Sequence, residues 1–212
     1  MLGDVLLIEE KHKNVAHEIV QKYLKTRREK LIITIGGESG SGKSEVAHMV
    51  GRYLKKEGIL TKILHTDNYY RIPPNNRLEW RKKEGISAIN FTEYDWDLII
   101  KNILDFKSDK VGNLPCVDLI NDRVDTLITD FSGISVLILE GLYSLHFTGD
   151  FNIYIDLTYH ETKKAQSMRG KEIYDDFRMK VLEREHKIVS KFRSEANYII
   201  SKQFSLLSIS EK

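Results

Sequence analysis

The residues best suited to chemistry form one glycine-rich stretch near the start of the chain. They are Gly37, Glu38, Ser39, Gly40, Ser41, Gly42, Lys43 and Ser44, which match the pattern G-x-x-x-x-G-K-[ST]. Glycines permit a tight turn in which successive backbone N–H groups point at an anion. The lysine of this pattern reaches the β- and γ-phosphates of a nucleoside triphosphate, and the serine hydroxyl binds Mg²⁺. We therefore expect all eight residues to bind nucleotide and Lys43 to act in catalysis.

Two carboxylates at the ends of predicted strands extend this site. Asp67 follows the predicted strand 61–65, and Glu140 follows the strongly apolar run 135–139. Ligands of open α/β sheets bind beyond the carboxyl ends of the strands. Phosphoryl transfer to an alcohol needs alignment, charge neutralisation and an acceptor for the hydroxyl proton. Asp67 is thus the candidate base, with a helix or turn cap as the alternative. Glu140 is the candidate metal residue beside Ser44 and would hold Mg²⁺ directly or through water.

The elements that must position these groups alternate along the chain. The predicted strands are 31–35, 61–65, 135–139, 151–157 and 196–200, with short strands or a hairpin within 114–130. The predicted helices are 13–29, 43–56, one capped by Asp95 or Asp97 that ends near Phe106, and most of 160–195, with a break at Gly170. Residues 68–92 are predicted to be an irregular loop.

Buried strands that alternate with helices predict an α/β fold. The expected architecture is a P-loop NTPase, a three-layer sandwich with a parallel sheet and helices on both faces, like the nucleoside monophosphate kinases. We expect residues 31–212 to form this kinase domain. Residues 1–30 supply a leader and a helix that are either part of the domain or appended to it.

Composition narrows the function further. The formal net charge of +2 argues against a dedicated nucleic-acid binder. The single cysteine excludes an internal disulfide and favours a reducing compartment. No run approaches the roughly 18 apolar residues of a membrane span, and the N-terminus does not resemble a signal peptide. A cytoplasmic protein is therefore expected, with no nucleic-acid or membrane partner.

Four segments, in order, resemble the uridine kinase and phosphoribulokinase family. They are the phosphate loop at 36–44, His-Thr-Asp-Asn-Tyr-Tyr at 65–70, Asn-Phe-Thr-Glu-Tyr-Asp-Trp-Asp at 90–97, and Leu-Ile-Leu-Glu-Gly at 137–141. The phosphate loop is general, because GTPases and motor ATPases share it, whereas the other segments are more specific to the family. The resemblance implies an ATP-dependent phosphotransferase with an alcohol acceptor, which would most resemble a uridine kinase and use ATP and Mg²⁺.

The resemblance also implies roles for individual residues. Asp67 matches the catalytic base, and Tyr70 matches a residue that lines the acceptor site. Phe91 belongs to the Asn-Phe segment and is assigned to the same site. Arg169 matches the start of a mobile lid, where it would meet the ATP phosphates. A surface arginine at a helix break is the alternative for Arg169.

The chain departs from uridine kinases where the nucleoside would bind. The family's ribose-binding aspartate is replaced by Thr92, so either Glu93 or Asp95 is the substitute or the sugar contact is absent. The stacking aromatics around the pyrimidine are missing from 117–123, which removes apolar contact with a base. Arg123 could meet an anionic acceptor, or it could form a surface salt bridge.

These observations leave more than one function open. The first hypothesis is a small-molecule kinase, with a nucleoside as the leading acceptor and a sugar phosphate, pantothenate or glycerate as alternatives. The rival is a regulatory protein that binds nucleotide without phosphorylating an acceptor. A homo-oligomer is compatible with either hypothesis.

Overall fold

The computed structural model describes residues 2–26, 28–163, 166–167 and 175–209. Its strands are β1 (Leu31–Gly37), β2 (Thr61–His65), β3 (Val111–Asp118), β4 (Arg123–Asp130), β5 (Val136–Gly141), β6 (Phe151–Ile155), β7 (Tyr198–Ile200) and β8 (Leu206–Ser208). Its helices are α1 (Glu10–Thr26), α2 (Lys43–Lys56), α3 (Pro74–Glu84), α4 (Trp96–Lys107) and α5 (Asp176–Val189). None of these described helices is long and apolar enough to cross a membrane.

Six of the strands form one sheet in the order β2-β5-β1-β6-β7-β8. Neighbours from β2 to β7 run parallel, and β8 pairs antiparallel with β7. Strands β3 and β4 form a separate antiparallel hairpin. This arrangement confirms the α/β fold with a mainly parallel sheet.

Strand β1 lies at the centre of the sheet, and every one of its residues is buried. Ile33 and Ile35 pack in the cluster that includes α1 and α2, whereas Ile32 packs with residues of α4 on the opposite face. A strand covered on both faces reads as a continuous apolar run, as this one does. The consequence is a rigid base from which the chain enters the phosphate loop.

Helix α1 contributes to the same core as β1. Its buried residues include Val15, Ile19 and Tyr23, which lie in one apolar cluster with Ile33 and α2. Residues three and four apart share a helix face, so this spacing places the apolar side chains toward the sheet.

The loop predicted for residues 68–92 is wrong, because it contains helix α3 and short 3₁₀ turns. Only Arg81 is buried among the residues of α3, so the helix has no apolar stripe that periodicity could detect. Pro74 at its first turn fits the preference of proline for helix starts. Further along, the helix expected within 160–195 is α5 followed by a 3₁₀ turn at Ser190–Glu195, and Gly170 lies outside the described residues.

Replacing Ile19 with alanine tests whether α1 belongs to the folded domain. Loss of a fully packed aliphatic side chain costs about 2–5 kcal/mol of unfolding free energy. The control is Leu104→Ala, whose side chain is 59% exposed on α4, so a change within about 0.5 kcal/mol is expected. Urea denaturation measures both values. A loss for Ile19→Ala as small as that of the control would show that α1 is an appendage.

Candidate active site

The phosphate loop joins β1 to α2 in a conformation that requires glycine. Gly40 and Gly42 have φ angles of 75° and 93°. A Cβ at Gly40 would lie 2.7 Å from Gln166 Cγ, and one at Gly42 would lie 2.8 Å from His12 Nε2. Helix α2 begins directly after Gly42, so its positive N-terminal end faces the loop. The loop therefore offers an anion both backbone N–H groups and a helix dipole.

Two observations within the loop fit a polyphosphate. The Ser41 hydroxyl is buried and has no hydrogen-bond partner in the described part of the chain. Lys43 Nζ donates to the carbonyl of Glu38 at 2.8 Å, which holds the ammonium group across the loop. A buried hydroxyl without a partner is costly, and an anion at the loop would supply its acceptor. The residues present therefore fit the triphosphate of ATP.

The Glu38 side chain points toward other elements. Its carboxylate is buried, accepts from the backbone N–H of Tyr159 at 2.7 Å and lies 2.7 Å from His186 Nδ1 on α5. This pairing ties the loop to α5. Because the side chain is engaged by these contacts, any binding of nucleotide by Glu38 would use its backbone.

Ser44 and Glu140 meet at the mouth of the loop. The Ser44 hydroxyl donates to Glu140 Oε1 at 3.1 Å, and His65 Nδ1 lies 2.5 Å from the same oxygen. Burial opposes the charged form, but the hydrogen bond and charge of His65, the charge of Lys43 and the bond from Ser44 lower the pKa of Glu140. The carboxylate is therefore ionised at neutral pH.

This pair of oxygen ligands fits Mg²⁺. No group of three or more His, Cys, Asp or Glu side chains with metal-site geometry occurs in the described residues. Magnesium is commonly bound by one or two protein oxygens together with water and substrate phosphates. Ser44 and Glu140 can hold the ion in this way. His65 was not predicted as a site residue, although it ends the strand that precedes Asp67; the structure pairs it in register with Glu140.

Asp67 lies in the 3₁₀ turn that follows β2 and lines the same cleft. Within the described residues its carboxylate makes no hydrogen bond or ion pair, and the turn has no side-chain cap. The neighbouring Thr66 packs so tightly on β5 that a Cβ at Gly141 would lie 1.8 Å from its hydroxyl oxygen. The turn is therefore fixed against the strand that carries Glu140.

Tyr70 forms one wall of the cleft. Its ring centre lies 4.1 Å from that of Tyr94 and 3.3 Å from Cζ of Arg77. The hydroxyl of Tyr94 donates to that of Tyr70 at 2.6 Å. Burial, followed by the charge of Asp67, raises the pKa of Tyr70, so this residue is neutral.

Four charged side chains form a largely buried ionic network, and three of them line the cleft. Arg81 donates to both carboxylate oxygens of Glu93, at 2.7 and 2.9 Å, and lies 3.6 Å from Glu185. Arg178 of α5 lies 3.9 Å from Glu185 and donates to the hydroxyl of Ser39 at 3.3 Å. The network therefore connects α3 to the phosphate loop.

Seven of the fifteen predicted site residues line the cleft, along with residues that were not predicted. Its lining residues are Ser39, Gly40, Lys43, Ser44, Asp67, Tyr70, Arg77, Arg81, Glu140, Gly141, Leu142, Gln166, Arg178 and Glu185. Arg77 and Arg81 are four residues apart on α3, a spacing that places both on one face. That spacing was the available signal, but a helix was not expected there.

Three predicted acceptor residues are not among the cleft residues. Phe91 stacks on His146 at 4.5 Å within an aromatic cluster. Both carboxylate oxygens of Glu93 accept hydrogen bonds from Arg81. Arg123 starts β4, is exposed and pairs with Asp125 at 3.1 Å, which is the surface salt bridge considered above. Arg169 lies outside the described residues.

The mainly parallel sheet, with a phosphate loop between β1 and α2, is the fold of the P-loop kinases. The sequence profile described as the Phosphoribulokinase / Uridine kinase family matches residues 32–168, well over half of the chain. The chain belongs to this family.

Individual relatives carry different names. A uridine kinase of Mycoplasma genitalium is 35% identical over 115 residues, which are 53% of this chain and 51% of that protein. A bifunctional alpha-galactosidase/sucrose kinase of Mediterraneibacter gnavus is 29% identical over 90% of this chain and 22% of that protein. The chain thus spans about half the length of the uridine kinase that it matches.

Solved structures support the fold. Phosphoribulokinase from Rhodobacter spheroides superposes with a TM-score of 0.60 at 16% sequence identity, covering 81% of this chain and 70% of that one. At this identity the likeness concerns the architecture.

Replacing Glu93 with glutamine separates a structural role from an acceptor-binding role. Removing one partner of a buried ion pair typically costs about 3–5 kcal/mol, because the other charge is left uncompensated. Glu79→Gln, at an exposed position of the same region, is the control and should change stability by no more than about 0.5 kcal/mol. Chemical denaturation measures both. Unchanged stability with a selective loss of acceptor affinity would instead place Glu93 in the acceptor site.

Proposed function

We propose that this chain is a Mg·ATP-dependent kinase that transfers the γ-phosphate to a hydroxyl group of a small molecule. The observation that carries the proposal is the placement of Asp67 in the cleft that also contains Lys43, Ser44 and Glu140. Transfer to an alcohol requires a carboxylate that is available to the acceptor beside a triphosphate site, and Asp67 has no hydrogen-bond or ion-pair partner among the described residues. The relatives named as kinases support the same reaction class.

The proposal assigns a role to each group of the cleft. The loop amides and Lys43 bind the phosphates, and α2 adds its dipole. Mg²⁺, held at Ser44 and Glu140, would neutralise charge on the β- and γ-phosphate oxygens. Arg178 donates to the hydroxyl of Ser39 in the loop, and from there it would approach the transferring group.

Asp67 orients the acceptor hydroxyl and takes its proton. The hydroxyl oxygen forms a bond to the γ-phosphorus while the bond from that phosphorus to the β–γ bridging oxygen breaks. ADP leaves with the bridging oxygen, and the proton resides on Asp67 until solvent removes it. Proton transfer of this kind contributes typically about 10²–10⁴-fold to a rate.

The acceptor class is a separate question. Nucleosides are suggested by the family resemblance and head the list of acceptors to test. The regulatory alternative predicts ATP binding without acceptor-stimulated turnover, so a kinetic assay across acceptors separates the two hypotheses.

Lys43→Ala should lower phosphate transfer by about 10²-fold or more, because a preorganised positive charge on the transferring group is lost. Lys55→Ala is the matched control, since Lys55 is an exposed lysine near the end of the same helix. ADP release with Mg·ATP and acceptor measures both. Full activity of Lys43→Ala would contradict the assignment of the loop.

Asp67→Asn should reduce kcat by about 10²–10⁴-fold and leave ATP affinity nearly unchanged, because the amide cannot take the proton. Asp97→Asn, an exposed aspartate at the start of α4, is the control and should retain activity. Single-turnover transfer and ATP titration give the two quantities. Equal losses of transfer and of ATP binding would overturn the role of Asp67 as the base.

A further inference from the structure

The proposed kinase reaction leaves one charged group of the cleft without a role, the guanidinium of Arg77. This residue lies in the second turn of α3 and lines the cleft with Asp67. Its Nη2 donates to the carbonyl of Ile72 at 3.4 Å, and its Cζ lies 3.3 Å from the centre of the Tyr70 ring. Stacking and this hydrogen bond hold the planar group in one orientation.

Arg77 differs from the two other arginines of the cleft. Arg81 is neutralised by Glu93, and Arg178 lies beside Glu185. Among the described residues no carboxylate forms an ion pair with Arg77, and its buried Nε has no hydrogen-bond partner. A buried donor without a partner is costly, and an anionic ligand would remove that cost.

The same arrangement disfavours stacking of a nucleobase. Tyr70 is the only aromatic residue among the described residues that line the cleft. Its ring carries Arg77 at 3.3 Å and Tyr94 at 4.1 Å from its centre, and these two contacts must occupy opposite faces to avoid a clash. Neither face of the ring is left for a base.

We propose that the acceptor is a small alcohol that carries a phosphate or a carboxylate, and that Arg77 binds this anionic group. The inference rests on the proposed kinase function. Tyr70 ends the turn that holds Asp67 and supports Arg77 on its ring, so the base and the anion site are adjacent. A molecule with a hydroxyl group and an anionic group spans the two sites, and Arg77 then determines specificity.

The test compares acceptors that differ in charge. ADP release with Mg·ATP is measured for glycerol, glycerol 3-phosphate and glycerate, for ribose and ribose 5-phosphate, and for uridine as a neutral nucleoside. We expect an anionic member to have a KM at least about 10-fold lower than its neutral counterpart, as charge-assisted hydrogen bonds predict. Phosphates and carboxylates are separate arms that identify the source of the charge.

Variants of Arg77 link this preference to the structure. Arg77→Gln should raise the KM for the anionic acceptor by about 10- to 100-fold and leave the KM for ATP within about twofold. Arg77→Lys should recover part of the loss, because it keeps the charge but not the planar fork. Arg71→Gln is the control, since Arg71 is an exposed arginine near Asp95 that does not line the cleft.

The proposal is overturned if neutral acceptors are used as well as their charged counterparts, or if Arg77→Gln affects both equally. Circular dichroism verifies that each variant is folded, and Arg77→Lys replaces Arg77→Gln if the latter is not.

Failure of the kinase function gives a different result. If no acceptor is phosphorylated, glycerol 3-phosphate is titrated calorimetrically into protein loaded with Mg²⁺ and a non-hydrolysable ATP analogue. If glycerol 3-phosphate binds the wild type and binds the folded Arg77 variant more weakly, the anion site is supported although the kinase reaction is not. Absence of binding would overturn the anion site as well.

Discussion

The structure depends on a loop of backbone N–H groups that must surround an anion at a fixed position. Gly40 and Gly42 adopt positive φ angles that other residues disfavour, and the dipole of α2 starts directly after them. Such a loop binds well only if its ends are rigid. The fully buried strand β1 provides one end, and the core residues of α2 provide the other.

The parallel sheet explains why the chemical groups meet. Strands β1, β2 and β5 run parallel, so their carboxyl ends lie at the same edge of the sheet. Asp67 follows β2, Glu140 lies near the end of β5 and the phosphate loop follows β1, so all three lie at that edge. The cleft is closed on its other side by α3 and α5, which a buried ionic network joins to Ser39. The cost of removing these charges from water offsets much of their mutual attraction, so the network adds little net stability. Its main contribution is to hold the side chains in fixed positions. Its effect is to fix α3, and with it Arg77, relative to the phosphate loop.

Local patterns predicted the parts of this structure that local physics determines. The strand at 31–35, the loop after it and a helix cap at Asp95 or Asp97 were expected from apolar runs, glycine spacing and capping chemistry. The strand and the loop are present, and of the two candidate caps Asp95 is the one used. Helix α3 was not predictable from periodicity, because its buried residue is an arginine whose partner Glu93 is 12 positions away. Arg77 and Arg81 of the cleft were missed together with the helix that carries them, because neither contributes to an apolar stripe.

The most direct test of the kinase proposal is to follow the γ-phosphate itself. ATP labelled at that phosphate is incubated with Mg²⁺, protein and each small alcohol, and the products are separated by chromatography. The account predicts that label appears in one acceptor in a one-to-one ratio with ADP. Label that remains in ATP, or that appears only as inorganic phosphate with every acceptor while ATP binding is intact, would contradict it.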